Sequence, residues 1–314
     1  MTSVQQQEGT IKDRRSTLSL FPGQGSQVIG MGRKSVETSK SASEFFSAAS
    51  GAIGCDLREL CWKGPMEILT KTENTQIALT AVAIADWMAM RENIEATAGR
   101  SSDACAGHSV GALAAAVAAG FLSPIDGVRL AQIRGNLMSE APNGGSMLAV
   151  ANAIAAISED ELVECAVGLA REFDVDVAAL NSPKQFVLSG KREHLDKLCQ
   201  KPGIVSKMLN VSNAFHSRYM KPVAPKWIEA INTVAFTPGT CSYIGCTTAT
   251  PTTDVDSVRL DLIQGLTKPV HWFGVMEKTV DLACIDVFGP GQAIARFARS
   301  HLHGRPLTVY GGGR

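Results

Sequence analysis

Five residues, Gly107-His108-Ser109-Val110-Gly111, constrain this chain more than any other stretch. They follow an apolar segment around Ala104-Cys105-Ala106 and open an alanine-rich run over 112–119. That is the order strand, sharp turn, helix. A serine between two glycines at such a junction is a nucleophile elbow, in which the tight turn lifts the hydroxyl clear of the sheet. Side chains at 107 and 111 would collide across the turn, so glycine is required there on steric grounds. The helix that follows aims its first amides and its positive dipole end at Ser109, where an oxyanion would form. Local chemistry and local geometry therefore both point to an α/β chain.

At 314 residues there is room for one large unit and a smaller one around a substantial core. Thirty basic residues balance thirty acidic ones, so no global charge points to nucleic acid or an anionic membrane. The eight cysteines include no C-x-x-C pair and read as free thiols in a reducing cytoplasm, not as a disulfide framework or a metal site. No apolar run approaches the ~20 residues that span a bilayer. The polar stretch 1–16 lacks a signal-peptide core and reads as a flexible leader.

Hydrophobic periodicity gives a first strand over 17–21, stopped by Pro22-Gly23-Gln24-Gly25-Ser26. Helices are expected over 42–52 and 75–90, and again over 124–138 with Ser123 as cap. The pattern then changes. A strand over 146–151, a helix from 158 to 172 with a Ser158/Glu161 capping box, strands over 175–180 and 185–189, a helix over 192–199 and a strand over 206–211 make β-α-β-β-α-β. The expected division is therefore a ferredoxin-like small subdomain over 146–211, inserted in a large α/β unit formed by 17–145 and 212–314. In the returning part, helices are expected over 221–233 and 258–266, with strands near Cys241 and over 284–288. The tail 311–314 reads as mobile.

A serine hydroxyl is a weak nucleophile and needs a base within hydrogen-bond reach. Six histidines are available. His194 sits among charges on an expected helix face, and His301 and His303 lie in a basic C-terminal stretch, so a surface role suits all three. His271 precedes Trp272 and suits packing. His108 adjoins Ser109 but points across the turn, which suits orientation. His216, in Asn213-Ala-Phe-His-Ser217, falls where the insert rejoins the larger unit, and such junctions favour sites. Spacing alone leaves the choice of base open.

Six segments occur in order: Phe21-Pro-Gly-Gln-Gly-Ser-Gln27, the elbow, Arg134-Gly-Asn-Leu-Met138, Asn181-Ser-Pro-Lys-Gln185, Ala214-Phe-His-Ser217 and Gly289-Pro-Gly291. Together they resemble the malonyl-CoA:acyl carrier protein transacylase family, over nearly the whole chain. The resemblance implies an α/β-hydrolase-like large subdomain with a parallel sheet, carrying a ferredoxin-like insert. It implies Ser109 as the acylated nucleophile, His216 as its base, and the backbone amides of Gln24 and Val110 as the oxyanion hole. Arg134 would hold the free carboxylate of a malonyl group through two parallel hydrogen bonds. Gln76, His108, Met138, Asn181 and Phe215 complete the implied substrate site. The implied partners are malonyl-CoA and a phosphopantetheinylated acyl carrier protein, with no cofactor, no metal and a monomeric enzyme. Because carrier proteins are acidic, Arg296, Arg299 and Arg305 form a candidate docking patch, against the simpler reading of a solvated helix face.

Two departures stand out. An acidic residue that often follows the elbow is Ala112 here. The glutamine that often precedes Leu-x-x-Pro-Val falls on Gly265, beside Gln264, so a main-chain carbonyl near Gly265 would have to orient His216. The alanine-rich elbow helix also looks like the malonyl transferase subunit of malonate decarboxylase, and Ala-Phe-His-Ser resembles trans-acting polyketide acyltransferases. A rival of a different class is a serine acyl-thioester hydrolase using an acid such as Asp286; in an ordinary α/β-hydrolase, however, the histidine follows near the C-terminus. A non-catalytic docking subunit would need neither Ser109 nor His216, and both are present.

Overall fold

The computed structural model describes residues 16–93, 102–142, 144–151, 158–290 and 292–311. Most of the expected leader, Gly291 and the last three residues of the expected tail lie outside the described residues. Strands β1 (Thr17–Phe21), β2 (Ser102–Gly107), β3 (Gly145–Ala151), β4 (Asp176–Ser182), β5 (Gln185–Lys191), β6 (Val205–Met208), β7 (Ser242–Ile244), β8 (Pro251–Thr252), β9 (Cys284–Phe288) and β10 (Leu307–Tyr310) form two sheets.

The first sheet has the order β10-β9-β1-β2-β7-β8, and every neighbouring pair is parallel except β7 and β8. β1 and β9 are buried along their whole length, as strands covered by helices on both faces must be. Helix Gly111–Ala118 leaves β2 through the elbow and is itself buried throughout. Its alanines explain this: with little side chain to hold it off, it packs against both β1 and β2. Around it, helices Lys40–Ile53, Thr72–Glu92 and Pro124–Glu140 pack on one another. At Gly135 a Cβ would come within 2.9 Å of the Glu73 backbone, so this glycine lets two helices cross closely beside Arg134.

The second sheet is antiparallel with the order β4-β5-β3-β6, and helices Glu159–Glu172 and Arg192–Cys199 cover it. This is the ferredoxin-like arrangement. Its core of Leu148, Val150, Leu162, Leu180, Phe186 and Leu188 also takes in Phe273, from helix Trp272–Glu277 of the larger unit. A main-chain bridge adds to the join: Leu180 N–H donates to Val270 O at 2.8 Å and Val270 N–H to Ala178 O at 2.9 Å.

Boundaries moved where short elements lack periodicity. The expected helix over 221–233 begins as a 3₁₀ turn at Arg218–Val223 containing Pro222, whose missing N–H suits that tighter start, before α-helix Ala224–Thr233. β8, β10 and helix Trp272–Glu277 span only two to six residues and left no pattern to read. His301 corrects the surface reading given to it: the ring is buried, 5.2 Å from that of Phe273.

The elbow is held by contacts that exclude a methyl group. A Cβ at Gly107 would lie 2.0 Å from the Gly111 backbone, and one at Gly111 would lie 2.3 Å from Phe21 O. Gly111→Ala is therefore expected to destabilise the protein by about 3 kcal/mol or more, since backbone rather than a flexible side chain must yield. Urea unfolding measures this, and a wild-type midpoint would refute the steric reading.

Candidate active site

Ser109 occupies the left-handed region, φ +54°, at the turn between β2 and its helix. His216 also has positive φ, +55°. Its segment is pinned from both sides: buried Asn213 donates through Nδ2 to the carbonyls of Met138, at 3.0 Å, and Ala141, at 3.3 Å, while Ser217 Oγ caps the following turn by accepting from Tyr219 N–H. These restraints bring His216 Nε2 within 2.7 Å of Ser109 Oγ.

The tautomer follows from the other ring nitrogen. His216 Nδ1 lies 3.1 Å from Lys268 O, and a carbonyl can only accept, so Nδ1 carries the hydrogen. Nε2 is then the bare acceptor for the serine hydroxyl. The orienting group is thus a main-chain carbonyl near Gly265, that of Lys268, and the Gly265 backbone also acts on the ring. Gln264 O accepts from Lys268 N–H at 2.8 Å and so shapes the turn, and Gly265 O accepts from Arg134 Nη2 at 3.1 Å.

Arg134, on helix Pro124–Glu140, is 3% exposed. Its Nη1 donates to Gln76 Oε1 at 2.9 Å, and its Nη2 reaches Ser109 Oγ at 3.4 Å as well as Gly265 O. Gln76 Nε2 in turn donates to Met138 Sδ at 3.1 Å. No acidic side chain pairs with Arg134 among the described residues. Burial lowers its pKa to about 10, which leaves it charged at neutral pH. Burial first, and then the Arg134 charge, push His216 down to about 3. The imidazole is neutral in the resting site.

His108 is half-buried, and loss of water around its ring holds it below its ordinary pKa. Its Nε2 lies 2.9 Å from Asn181 Oδ1, whose Nδ2 donates to Gln185 Oε1 at 3.0 Å, so the ring joins the elbow to the β4–β5 hairpin. The ring also packs against Trp272, 5.5 Å away. On the opposite side, a Cβ at Gly23 would lie 2.6 Å from His108 O, so glycine lets the turn after β1 lie flush on the elbow. Gln24 sits in that turn, its Nε2 3.3 Å from Thr72 Oγ1. Among the described residues the backbone amides of Gln24 and Val110 donate to no protein acceptor.

Ser109, His216, Arg134, Gln76, Met138, His108 and Asn181 are therefore one connected set, with Phe215 buried next to His216. Arg296 and Arg299 are exposed on helix Gln292–Arg299, whose Phe297 ring lies 6.3 Å from that of His108. Arg305 departs from the expected patch: its guanidinium donates to the carbonyls of Thr279, Leu282 and His301 and ties the chain before β10 to the segment that leads into β9. Asp286 departs from the hydrolase reading, since it lies inside β9, paired with Ser19 of β1 and Thr308 of β10, while a carbonyl orients His216. Sequence reasoning placed the orienting carbonyl near Gly265 without naming Lys268, because a main-chain carbonyl leaves no mark on residue identity.

The depressed His216 pKa sets a pH profile. Inactivation of Ser109 by an uncharged sulfonyl fluoride is expected to stay level from about pH 8 down to about pH 5, because the base stays unprotonated there. An inflection near 6.5 would mean an imidazole that is neither buried nor beside a cation. The unfolded chain's histidine titrates near 6.5, so the stability His216 contributes is full above that pH and is lost as pH falls from 6.5 toward 3.

Comparison with known proteins agrees with this geometry. Residues 19–271 match the family model described as acyl transferase domain. A malonyl CoA-acyl carrier protein transacylase from Bacillus subtilis is 35% identical over 81% of this chain, and the match spans 63% of that protein's length. One from Salmonella typhimurium is 33% identical over 81% of both chains. The crystal structure of MCAT from Mycobacterium tuberculosis superimposes with a TM-score of 0.85 and 27% identity, covering 94% of this chain and 96% of that one. Among the described residues no helix is long and apolar enough to cross a membrane.

Proposed function

We propose that this chain, which belongs to the malonyl CoA-acyl carrier protein transacylase family, moves a malonyl group from coenzyme A to the phosphopantetheine thiol of an acyl carrier protein. The observation that carries this reading is Arg134, a buried cation without an acidic partner among the described residues, in contact with the nucleophile. An uncompensated buried charge is costly, and a substrate carboxylate is the group that would offset it. Neutral esters and thioesters would leave it unpaired, which disfavours a general hydrolase.

In the proposed reaction His216 Nε2 takes the Ser109 proton as Oγ attacks the malonyl thioester carbonyl. Lys268 O holds the Nδ1 hydrogen and steadies the imidazolium that forms. The oxyanion is received by the amides of Gln24 and Val110, which point at no other acceptor. Collapse breaks the carbon–sulfur bond, and the coenzyme A thiolate takes the proton from His216. The carrier thiol then repeats the cycle in reverse roles, giving a ping-pong sequence. Gln76 fixes one guanidinium nitrogen, so Arg134 meets the carboxylate in a single orientation, and Asn181 holds His108 clear of the serine. Every group comes from one chain, which supports action as a monomer, and the eight free thiols support a cytoplasmic setting.

Two expected outcomes test the reading. Intact-mass analysis after exposure to malonyl-CoA should show one malonyl adduct on the wild type and none on Ser109→Ala; an adduct on the variant would move the nucleophile elsewhere. Arg134→Ala should lower malonyl transfer relative to acetyl transfer by about 10- to 100-fold, the worth of a charge-assisted hydrogen-bond pair of about 1.5–3 kcal/mol. We further propose that Arg296 and Arg299 meet the acidic carrier, since their helix packs against the elbow through Phe297. Arg296→Glu with Arg299→Glu should raise KM for the carrier at low salt and leave KM for malonyl-CoA unchanged.

A further inference from the structure

Asp261 lies on helix Val255–Gln264, is 3% exposed, and takes no part in the reaction described above. Its Oδ2 accepts from Tyr243 Oη at 2.7 Å and from Cys246 N–H at 3.0 Å. Its Oδ1 accepts from Thr247 N–H at 2.9 Å and Thr247 Oγ1 at 2.6 Å. Four donors therefore converge on one buried carboxylate and fasten the helix to the chain leaving β7.

That fastening closes a loop. Cys246 gives its N–H to Asp261 and its carbonyl to His271 N–H at 2.7 Å, so both ends of segment 261–271 meet on one residue. Within the closed segment Gly265 N–H donates to Asp261 O at 2.8 Å, and Val270 pairs with β4. Two carbonyls face the active site from this frame: Gly265 O accepts from Arg134, and Lys268 O accepts from His216. A loop fixed at both ends loses the freedom that would let these acceptors wander. The spacing of the two carbonyls that hold Arg134 and His216 is thereby set.

We infer that Asp261 is a positioning residue, which aims the imidazole of His216 and the guanidinium of Arg134 by closing segment 261–271 on Cys246. The inference rests on the proposed roles of Ser109, His216 and Arg134. Asp261→Asn keeps the shape but turns an amide NH₂ toward two of the four donors, so the frame must shift. Displacements near 1 Å at reacting groups cost on the order of 100-fold in rate.

The test reads Ser109 directly, by sulfonyl fluoride inactivation and by the malonyl-to-acetyl ratio of acyl-serine formation, well below each protein's melting temperature. Folded Asp261→Asn should inactivate on the order of 100-fold more slowly than wild type and lose much of its malonyl preference. A role confined to stability would lower the melting temperature and leave both readouts of the folded protein unmoved, and that result overturns the inference. If Asp261→Asn fails to fold, Thr247→Val, which removes one donor at a half-buried position, decides the matter. Slower inactivation of Thr247→Val supports positioning, and a wild-type rate overturns it. Failure of the wild type to take a malonyl group would instead sink the proposed function, while the inactivation rates would still report on positioning.

Discussion

A 2.7 Å hydrogen bond joins Ser109 and His216, residues 107 positions apart in the chain, and both occupy left-handed backbone. Neither residue is a glycine, and positive φ at a non-glycine is uncommon and persists where surroundings over-determine it. For Ser109 the surroundings are the glycines at 107 and 111, packed within the reach of a methyl group from neighbouring backbone. For His216 they are the Asn213 side chain bound to the end of helix Pro124–Glu140 and the Lys268 carbonyl. Strain at the two ends of the contact is sustained by packing that lies outside it.

The second organising element is electrostatic. Arg134 is buried and, among the described residues, has only neutral acceptors: Gln76 Oε1, Gly265 O and Ser109 Oγ. These satisfy the geometry of the guanidinium without cancelling its charge. The charge that remains pushes the neighbouring imidazole toward its neutral form, the one a general base must have. In the proposed reaction, one cation without an acidic partner among the described residues would serve selectivity and base readiness together.

The elbow, the β-α-β-β-α-β order and the side chains that the structure brings together around Ser109 were legible, because each depends on side-chain identity or periodicity. Gly107 and Gly111 are where the steric argument placed them, and the Ser158–Glu161 capping box forms as its spacing implied. The choice among six histidines was not legible from spacing. It became readable only through the motif around His216, since long-range proximity leaves no local pattern. A main-chain acceptor near Gly265 was anticipated for His216, but which carbonyl serves was not legible, since every residue carries one; Lys268 O makes the 3.1 Å contact. Arg305 misled for a related reason: a cation in a basic stretch looks solvated until its carbonyl partners are visible.

The strand bridge between β4 and Val270 lies two residues from the carbonyl that orients the imidazole. His108 reaches the same hairpin through Asn181. The smaller sheet is therefore wired to both Ser109 and His216, and its transplantation between homologues is not modular. A chimaera that exchanges the insert would need to bring the Lys268-to-Val270 strip with it, although that strip belongs by sequence to the recipient half.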